Sequence, residues 1–270
     1  MTAQSFTAVA TPSRRRVRPW LRLVGAELLK LRKRRGLVIA TIALTVVPMI
    51  LGYAVLSVLH ATDPVEYGPA GGIENFRPSI DLLGQLVAVA AILIGVTAGT
   101  GDLRAGVFRE LVITGRPRLA LFAARVPGGL ALLLPVVATA FATAAAASVV
   151  LAQSLPAPNT RLMVLSGAWI VLFAATTYVL ALGVSSVVGA SGPSIGILLG
   201  WALVFAPLLL QVQNLGTFGD LLPGAAVMAL SPAALESPVS MSGTTAGMGL
   251  VLWTLLPLAA GAWRTSTRDA

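Results

Sequence analysis

Long apolar runs alternate with short polar stretches along the chain. Six of these runs approach the length of about 20 residues that a helix needs to cross a bilayer, and none of them contains Asp, Glu, Lys or Arg. They cover residues 37–59, 82–100, 126–151, 162–188, 194–212 and 246–263. The pattern predicts an all-α membrane protein with six transmembrane helices.

The basic residues predict the orientation of these helices. Of the 19 Lys and Arg residues, ten precede residue 37, five lie between the second and third runs, and two follow the last run. If the six helices alternate, these residues share one side, and such a bias marks the cytoplasmic side. We therefore expect both termini in the cytoplasm and the chain in the plasma (cytoplasmic) membrane, which is the inner membrane of a cell with two membranes.

The polarity pattern divides the chain into three regions. Residues 1–36 are a predicted cytoplasmic basic arm, residues 37–263 the six-span domain, and residues 264–270 a cytoplasmic tail. Within the arm, apolar residues recur at helical spacing: Leu21, Val24, Leu28 and Leu31. This spacing beside many cations predicts an amphipathic helix in the membrane interface, and a merely basic flank is the alternative.

The segment between the fifth and sixth runs, residues 214–245, is partly apolar but too interrupted to form another span. Pro223 and Pro232 break its apolar middle. Because irregular backbone at membrane depth must be buried in protein, we expect short re-entrant helices here. A water-exposed loop is the alternative, and the sequence leaves the detailed form open.

Composition removes several kinds of chemistry. Charged residues make up 11% of the chain, against about a quarter in soluble domains. There is no cysteine and only one histidine, His60, so we expect no metal site and no catalytic residue. No Walker A motif is present, so the chain has no ATP site of its own. The net charge of +9 would suit nucleic acid, but its position beside the spans argues against that partner.

The stretch GDLRAGVFRELVITGRPRLALFAAR, residues 101–125, holds seven charged residues between two apolar runs. On a helix, four of its residues share one arc: Asp102, Gly106, Arg109 and Glu110. Apolar residues share the opposite side: Leu103, Val107 and Leu111. Gly115 then allows a turn. The pattern favours a cytoplasmic amphipathic helix that docks on a partner, and a solvated loop that only enforces topology is the alternative.

Glycines recur every four residues at Gly192, Gly196 and Gly200, at the start of the fifth run. Such spacing leaves one helix face without side chains, so another backbone can approach closely. We expect this face to serve a dimer or another helix contact. Gly95 and Gly99 have the same spacing, but a single pair is more easily a coincidence in a chain with 27 glycines.

Residues 102–118 resemble the coupling-helix region of membrane subunits of the type-2 ATP-binding-cassette (ABC-2 type) transporter family. The residues that match this pattern in order are Asp102, Leu103, Arg104, Gly106, Arg109, Leu111, Gly115 and Arg118. Two residues depart from it, because Asp102 replaces the usual Glu and Val107 the usual Thr. The resemblance extends to the stretches ELLKLRKRRG and LLPGAAVMAL and to the six-span plan.

The resemblance implies the permease subunit of an ATP-driven exporter. Such a permease pairs with a second permease copy or paralogue and with two copies of a cytoplasmic ATPase subunit, which bind ATP and Mg in place of any cofactor here. The first and fifth spans would line the dimer interface. The residues implied to contact the ATPase subunit are Asp102, Arg104, Gly106, Arg109, Glu110 and Gly115.

Two other functions remain open at this point. The chain would be a non-transporting membrane scaffold or sensor if its charged helix recruited a partner that does not hydrolyse nucleotide. An ion-coupled secondary carrier is less favoured, because such carriers use intramembrane ionisable groups and the six runs lack them. For a transporter, uncharged span interiors suit a lipophilic or amphipathic substrate.

Overall fold

A computed structural model describes residues 19–106, 117–211, 223–232 and 242–267. Within these ranges the chain is helical and contains no strand. The helices are α1 Pro19–Lys33, α2 Arg35–Thr62, α3 Gly72–Arg104, α4 Arg118–Val150, α5 Thr160–Val188, α6 Ser191–Gly200, α7 Ala206–Gln211, α8 Pro223–Ala229 and α9 Gly243–Thr267.

Six helical units are long and apolar enough to cross a membrane, as predicted. They are α2, α3, α4, α5, the unit Ser191–Leu209 that joins α6 to α7, and α9. The prediction succeeds because the part of a helix that crosses the hydrocarbon core must be apolar over about 20 residues. That property can be read directly from composition.

Helix α3 begins at Gly72, ten residues before the apolar run 82–100 that predicted it, so the run underestimates the length of this helix. The Gly and Pro content of these ten residues concealed their helical character. The first backbone donors of α3 find acceptors in the loop after α4, because Gly71 N–H donates to the Leu151 carbonyl and Ile73 N–H to the Pro156 carbonyl. These bonds replace a capping side chain, which the α3 N-terminus lacks.

Helix α3 is the central helix of the bundle, and two of its glycines contact α5. A Cβ on Gly95 would lie 2.8 Å from the Tyr178 carbonyl oxygen, and one on Gly99 would lie 3.0 Å from the Leu182 carbonyl oxygen. The two backbones therefore touch directly at this point. Gly95 and Gly99 form a packing face, as small residues do in membrane helices.

The glycine triple at Gly192, Gly196 and Gly200 has no such neighbour. A Cβ at any of the three would meet no described atom within 4 Å, and Gly192 and Gly196 are exposed. Contact between this face and another helix of the same chain is thus not observed among the described residues. A dimer contact at the triple stays a prediction.

The fifth spanning unit contains a π-helical turn, Trp201–Phe205, between α6 and α7. The Ala206 N–H donates to the Trp201 carbonyl, five residues back. Pro207 follows immediately, and its ring has no N–H and would clash with the carbonyl of residue 203 in a regular α-helix. The wider turn accommodates the proline, and such turns are frequent at functional sites.

Helix α1 is amphipathic, as predicted, and packs along α4. Leu31 is buried and Leu28 packs against the main core, whereas Leu21 is exposed. Gly128 of α4 permits the approach, since a Cβ there would lie 2.7 Å from the Glu27 Cβ. The apolar side of α1 is therefore partly covered by protein, and its location at a membrane surface stays a prediction.

Helix α8 is the described part of the predicted re-entrant segment. It packs against α9 and buries Ala225 and Ala226 almost completely. Residues 212–222 and 233–241 lie outside the described residues. A short helix at this position agrees with the prediction, while its membrane depth stays untested.

Candidate functional site

The end of α3 carries a buried carboxylate, Asp102, which is 6% exposed. One of its oxygens accepts a hydrogen bond from Lys30 Nζ of α1 at 2.7 Å, and the other accepts one from Arg125 Nη2 of α4 at 2.9 Å. A carboxylate at a helix C-terminus is electrostatically unfavourable because it adds to the negative end of the helix dipole. Here two cations from two other helices offset the negative charge of the carboxylate and of the helix end.

Arg125 is the most buried cation of this site, with 3% of its surface exposed. Besides its bond to Asp102, Nη1 donates to the Gly99 carbonyl at 3.3 Å. That carbonyl lies about one and a half turns before the end of α3. Arg125 therefore binds both the Asp102 carboxylate and the backbone of the helix that carries it.

Glu27 and Lys30 bring α1 to the same place. Lys30 Nζ lies 2.6 Å from a Glu27 carboxylate oxygen while it also binds Asp102. Burial raises the pKa of Glu27 above its usual range, and the hydrogen bond and charge of Lys30 oppose that shift. We call Glu27, Lys30, Asp102 and Arg125 the charge cluster; Lys30 is exposed, and the other three are buried. It contains two cations and two carboxylates, so its formal charges balance.

A fourth helix joins the cluster through Tyr178 of α5. Its hydroxyl donates to the Arg125 carbonyl at 2.6 Å, and the side chain is completely buried. Gly129 makes room for it, because a Cβ there would overlap the Tyr178 ring. Helices α1, α3, α4 and α5 are thus tied together around Arg125.

The cluster lies next to residues 102–118, the segment that resembles a coupling helix. Asp102 is the first residue of this segment, and Arg125 follows it by seven residues, which is about 10 Å of helix α4. At the beginning of α4, Arg118 Nη1 donates to the Ser266 carbonyl of α9 at 3.2 Å. Residues 107–116 of the segment lie outside the described residues.

The predicted contact residues fall into three groups. Asp102 is inside the bundle, whereas Arg104 and Gly106 are exposed. Arg109, Glu110 and Gly115 lie outside the described residues. A contact between any of them and an ATPase subunit stays a prediction, but Asp102 is better placed to fix the segment than to touch a partner.

One part of the predicted geometry is wrong. A single helix running from Asp102 through Glu110 is not formed, because α3 ends at Arg104 and Gly106 adopts a φ of +67°. This left-handed conformation favours glycine and interrupts an α-helix. Helix α3, which carries Asp102, therefore does not continue through Gly106, and residues 107–110 lie outside the described residues.

Sequence reasoning missed most of the charge cluster. Arg125 was counted among the charges that set topology, and Lys30 among those of an interfacial helix. Only the spacing of Glu27 and Lys30, three residues apart, signalled a local pair. The pairings of Asp102 with residues 72 and 23 positions away depend on helix packing, which no local pattern encodes.

A cavity of about 1090 Å³ lies toward the other end of the bundle. It is bounded by α3, α5, the unit from α6 to α7, α8 and α9. Its wall includes Trp169, Phe173, Trp201, Leu250 and Trp253, and Glu74, Arg77 and Asp81 of α3 also line it. We call it the aromatic cavity. Asp81 and Asp102 are separated by about 30 Å of helix, close to the thickness of the hydrocarbon core of a bilayer.

The six apolar helices define a multi-pass helical membrane protein as the class of this chain. No protein-family model matches it, and no curated protein is significantly similar to it in sequence. Among the described residues, no group of three or more His, Asp or Glu side chains is arranged to hold a metal ion.

Proposed function

We propose that this chain is the membrane-spanning permease subunit of an ATP-driven ABC exporter. The permease forms the translocation path together with a second copy or a paralogue. Two cytoplasmic ATPase subunits bind ATP and Mg and drive it. The termini and the segment 102–118 face the cytoplasm of the plasma membrane, in line with the position of the basic residues.

The observation that carries this proposal is the attachment of the segment at both of its ends. On the α3 side Asp102 is held by Lys30 and Arg125, and on the α4 side Arg118 is bonded to α9. A motion applied to the segment would reach α1, α3, α4 and α9 through ion pairs and hydrogen bonds. Because the segment is bonded to these helices, it could not move far without moving them.

This attachment is what a coupling element requires. Closure of an ATPase subunit moves the cytoplasmic surface that it contacts, and transport follows only if the spanning helices move with that surface. Residues of the exposed part, such as Arg104, make the contact in this mechanism. Asp102, which is inside, positions the base of the element.

Co-purification tests the proposal directly. The chain is extracted from its native membranes in a mild detergent, captured by a tag, and the eluate is assayed for ATP hydrolysis and for each co-purifying protein. We expect a nucleotide-hydrolysing subunit to accompany the wild-type chain. A variant with Arg104→Glu, Arg109→Glu and Glu110→Lys should lose most of this activity, because its charges oppose those of the bound surface.

The matched control is Arg264→Glu, a reversal of an exposed charge in the last turn of α9. It lowers the net charge as the triple variant does but lies outside the segment 102–118, so the ATPase should remain bound. A wild-type chain that brings down no ATPase would sink the exporter proposal. A bound partner without nucleotide hydrolysis would instead favour the scaffold or sensor.

A further inference from the structure

The charged residues of the aromatic cavity occupy one face of α3. Glu74, Arg77 and Asp81 follow one another at intervals of three and four residues, so their side chains project to the same side of the helix. All three line the cavity. They lie in the first part of α3, before its long apolar run begins at residue 82.

These charged residues form no ion pairs closer than 4.0 Å within the described part of the protein. Arg77 Nε is buried and lacks a hydrogen-bond partner there. Buried polar groups are almost always bonded, so an unpaired guanidinium nitrogen at a cavity wall indicates a ligand group or water that completes it.

Another part of the cavity wall is apolar. Trp169 stacks on Phe173 with ring centroids 5.6 Å apart, and its Nε1 donates to the Val227 carbonyl of α8 at 3.0 Å. The π-helical turn contributes Trp201, Ala202 and Leu203 in succession. An α-helix would direct three consecutive side chains more widely around its axis, so the turn enlarges the wall.

The apolar part of the cavity extends from the charged residues toward the middle of the bundle. Its far end is lined by Ile92, Leu180 and Leu198. Asp81 and Ile92 are separated along α3 by about 16 Å of helix. A volume of about 1090 Å³ is at the upper end of the range of small-molecule sites. The space has the form expected for an alkyl chain below a polar headgroup.

We propose that the aromatic cavity binds a zwitterionic amphiphile whose headgroup carries a phosphate and an ammonium. The phosphate lies at Arg77, the ammonium contacts a carboxylate on either side of it, Glu74 or Asp81, and the alkyl chain extends toward Ile92. As the cargo site of an exporter, this assignment rests on the proposed function. As a binding site, it stands on the cavity alone.

The charges distinguish this ligand from simpler amphiphiles. Arg binds phosphate through charge-assisted hydrogen bonds, and both carboxylates and aromatic faces attract an ammonium. An anionic amphiphile would place its charge near two carboxylates, and a neutral one would bind none of the three charged groups through an opposite charge. A purely cationic amphiphile would leave Arg77 without a partner.

Tryptophan fluorescence supplies a local readout of binding. Three of the five tryptophans, Trp169, Trp201 and Trp253, line the cavity, while Trp20 and Trp263 are exposed elsewhere. The Trp20→Phe, Trp263→Phe protein therefore reports mainly on the cavity. Lysophosphatidylethanolamine brominated in mid-chain, titrated into this protein in detergent micelles, should quench the fluorescence in a saturable way.

Two variants locate the binding. Ala202→Phe places a ring in the cavity and should abolish the saturable quenching, whereas Ala43→Phe adds the same ring on the exposed side of α2 and should not. Arg77→Gln adds no bulk to the cavity and should weaken binding about tenfold, since it removes a charge-assisted hydrogen bond. It also remains informative if Ala202→Phe fails to fold.

The headgroup is tested with brominated lysophosphatidylglycerol, which has the phosphate but no ammonium. The wild type should prefer the ethanolamine probe, and Glu74→Gln with Asp81→Asn should remove that preference. The proposal would be overturned if saturable quenching were absent or if Ala202→Phe left it unchanged. It would also be overturned if the wild type bound both probes equally.

Lipid extraction followed by mass spectrometry identifies the source of the ligand. An ethanolamine phospholipid that co-purifies with the wild type but not with Ala202→Phe identifies a bilayer lipid. Probe binding without such a lipid identifies another amphiphile with the same headgroup. Neither measurement needs an ATPase partner, so failure of the exporter proposal and failure of this site give different results.

Discussion

The two ends of α3 use charge in opposite ways. At one end, Asp102 is 6% exposed and both of its oxygens bind cations of neighbouring helices. At the other end, Glu74 and Asp81 are exposed and form no ion pair with any described residue. The first arrangement joins helices to one another, and the second leaves charge available at the wall of a cavity.

This difference separates a structural role from a binding role on one helix. A buried charge that loses its partner is strongly destabilising, so breaking one pair of the cluster should lower the stability of the bundle. Charges that border a cavity keep access to water or to a ligand, and the fold does not depend on their pairing. Substitutions at the two ends should therefore have different consequences.

The largest effect is expected for Asp102→Ala. It leaves Arg125 buried without its carboxylate, which costs about 3–5 kcal/mol in comparable buried pairs. The free energy of unfolding, measured by SDS titration in mixed micelles, should fall by that order. Asp102→Leu combined with Arg125→Leu should recover part of the loss, because no unpaired charge remains. If Asp102→Ala alone is as stable as wild type, the cluster does not hold the helices together.

A smaller effect is expected for the glycines of α3 near the two ends. Gly99→Ala brings a methyl group to 3.0 Å from the Leu182 carbonyl oxygen, and forced overpacking of this kind costs about 1–3 kcal/mol. Gly84→Ala meets the edge of the Trp169 ring at 3.2 Å, beside the cavity into which the ring can shift. The same assay should show destabilisation for Gly99→Ala and little change for Gly84→Ala. Equal losses would mean that the cavity wall is as rigid as the contact between α3 and α5.

The smallest effect on stability is expected for Glu74→Gln with Asp81→Asn. Neither side chain has a partner among the described residues, so the free energy of unfolding should change by no more than about 0.5 kcal/mol. Lys30→Met serves as the contrast, since Lys30 binds two carboxylates. Destabilisation by the carboxylate variant larger than that by Lys30→Met would contradict the distinction between the two ends.

The sequence predicted the features that depend on local composition. The six spanning helices are predictable because each contains a continuous apolar run, and α1 because its apolar residues recur at helical spacing. The first ten residues of α3 were missed, since their helical state depends on acceptors in the loop after α4. The break at Gly106 was also missed, because the sequence does not show whether a glycine within an amphipathic pattern adopts a helical or a left-handed conformation.

Features that depend on packing were not predictable in this way. The glycine triple had the stronger repeat, yet the pair Gly95 and Gly99 is the one that contacts another helix within the chain. The spacing of glycines shows that one helix face lacks side chains, but it does not show whether another helix packs against that face. The charge cluster and the aromatic cavity are likewise assembled from several helices that are distant in sequence.

The pairing of Asp102 with Arg125 has a consequence for chain continuity. The two residues lie on either side of residues 107–116, so their contact does not rely on the peptide bonds between them. Helix α3 also packs against α4 and α5, and α1 against α4. A chain interrupted between Gly106 and Pro117 would therefore yield two fragments with complementary surfaces and complementary charges. Expressed together, they should assemble without a covalent link, as a molecule in two parts.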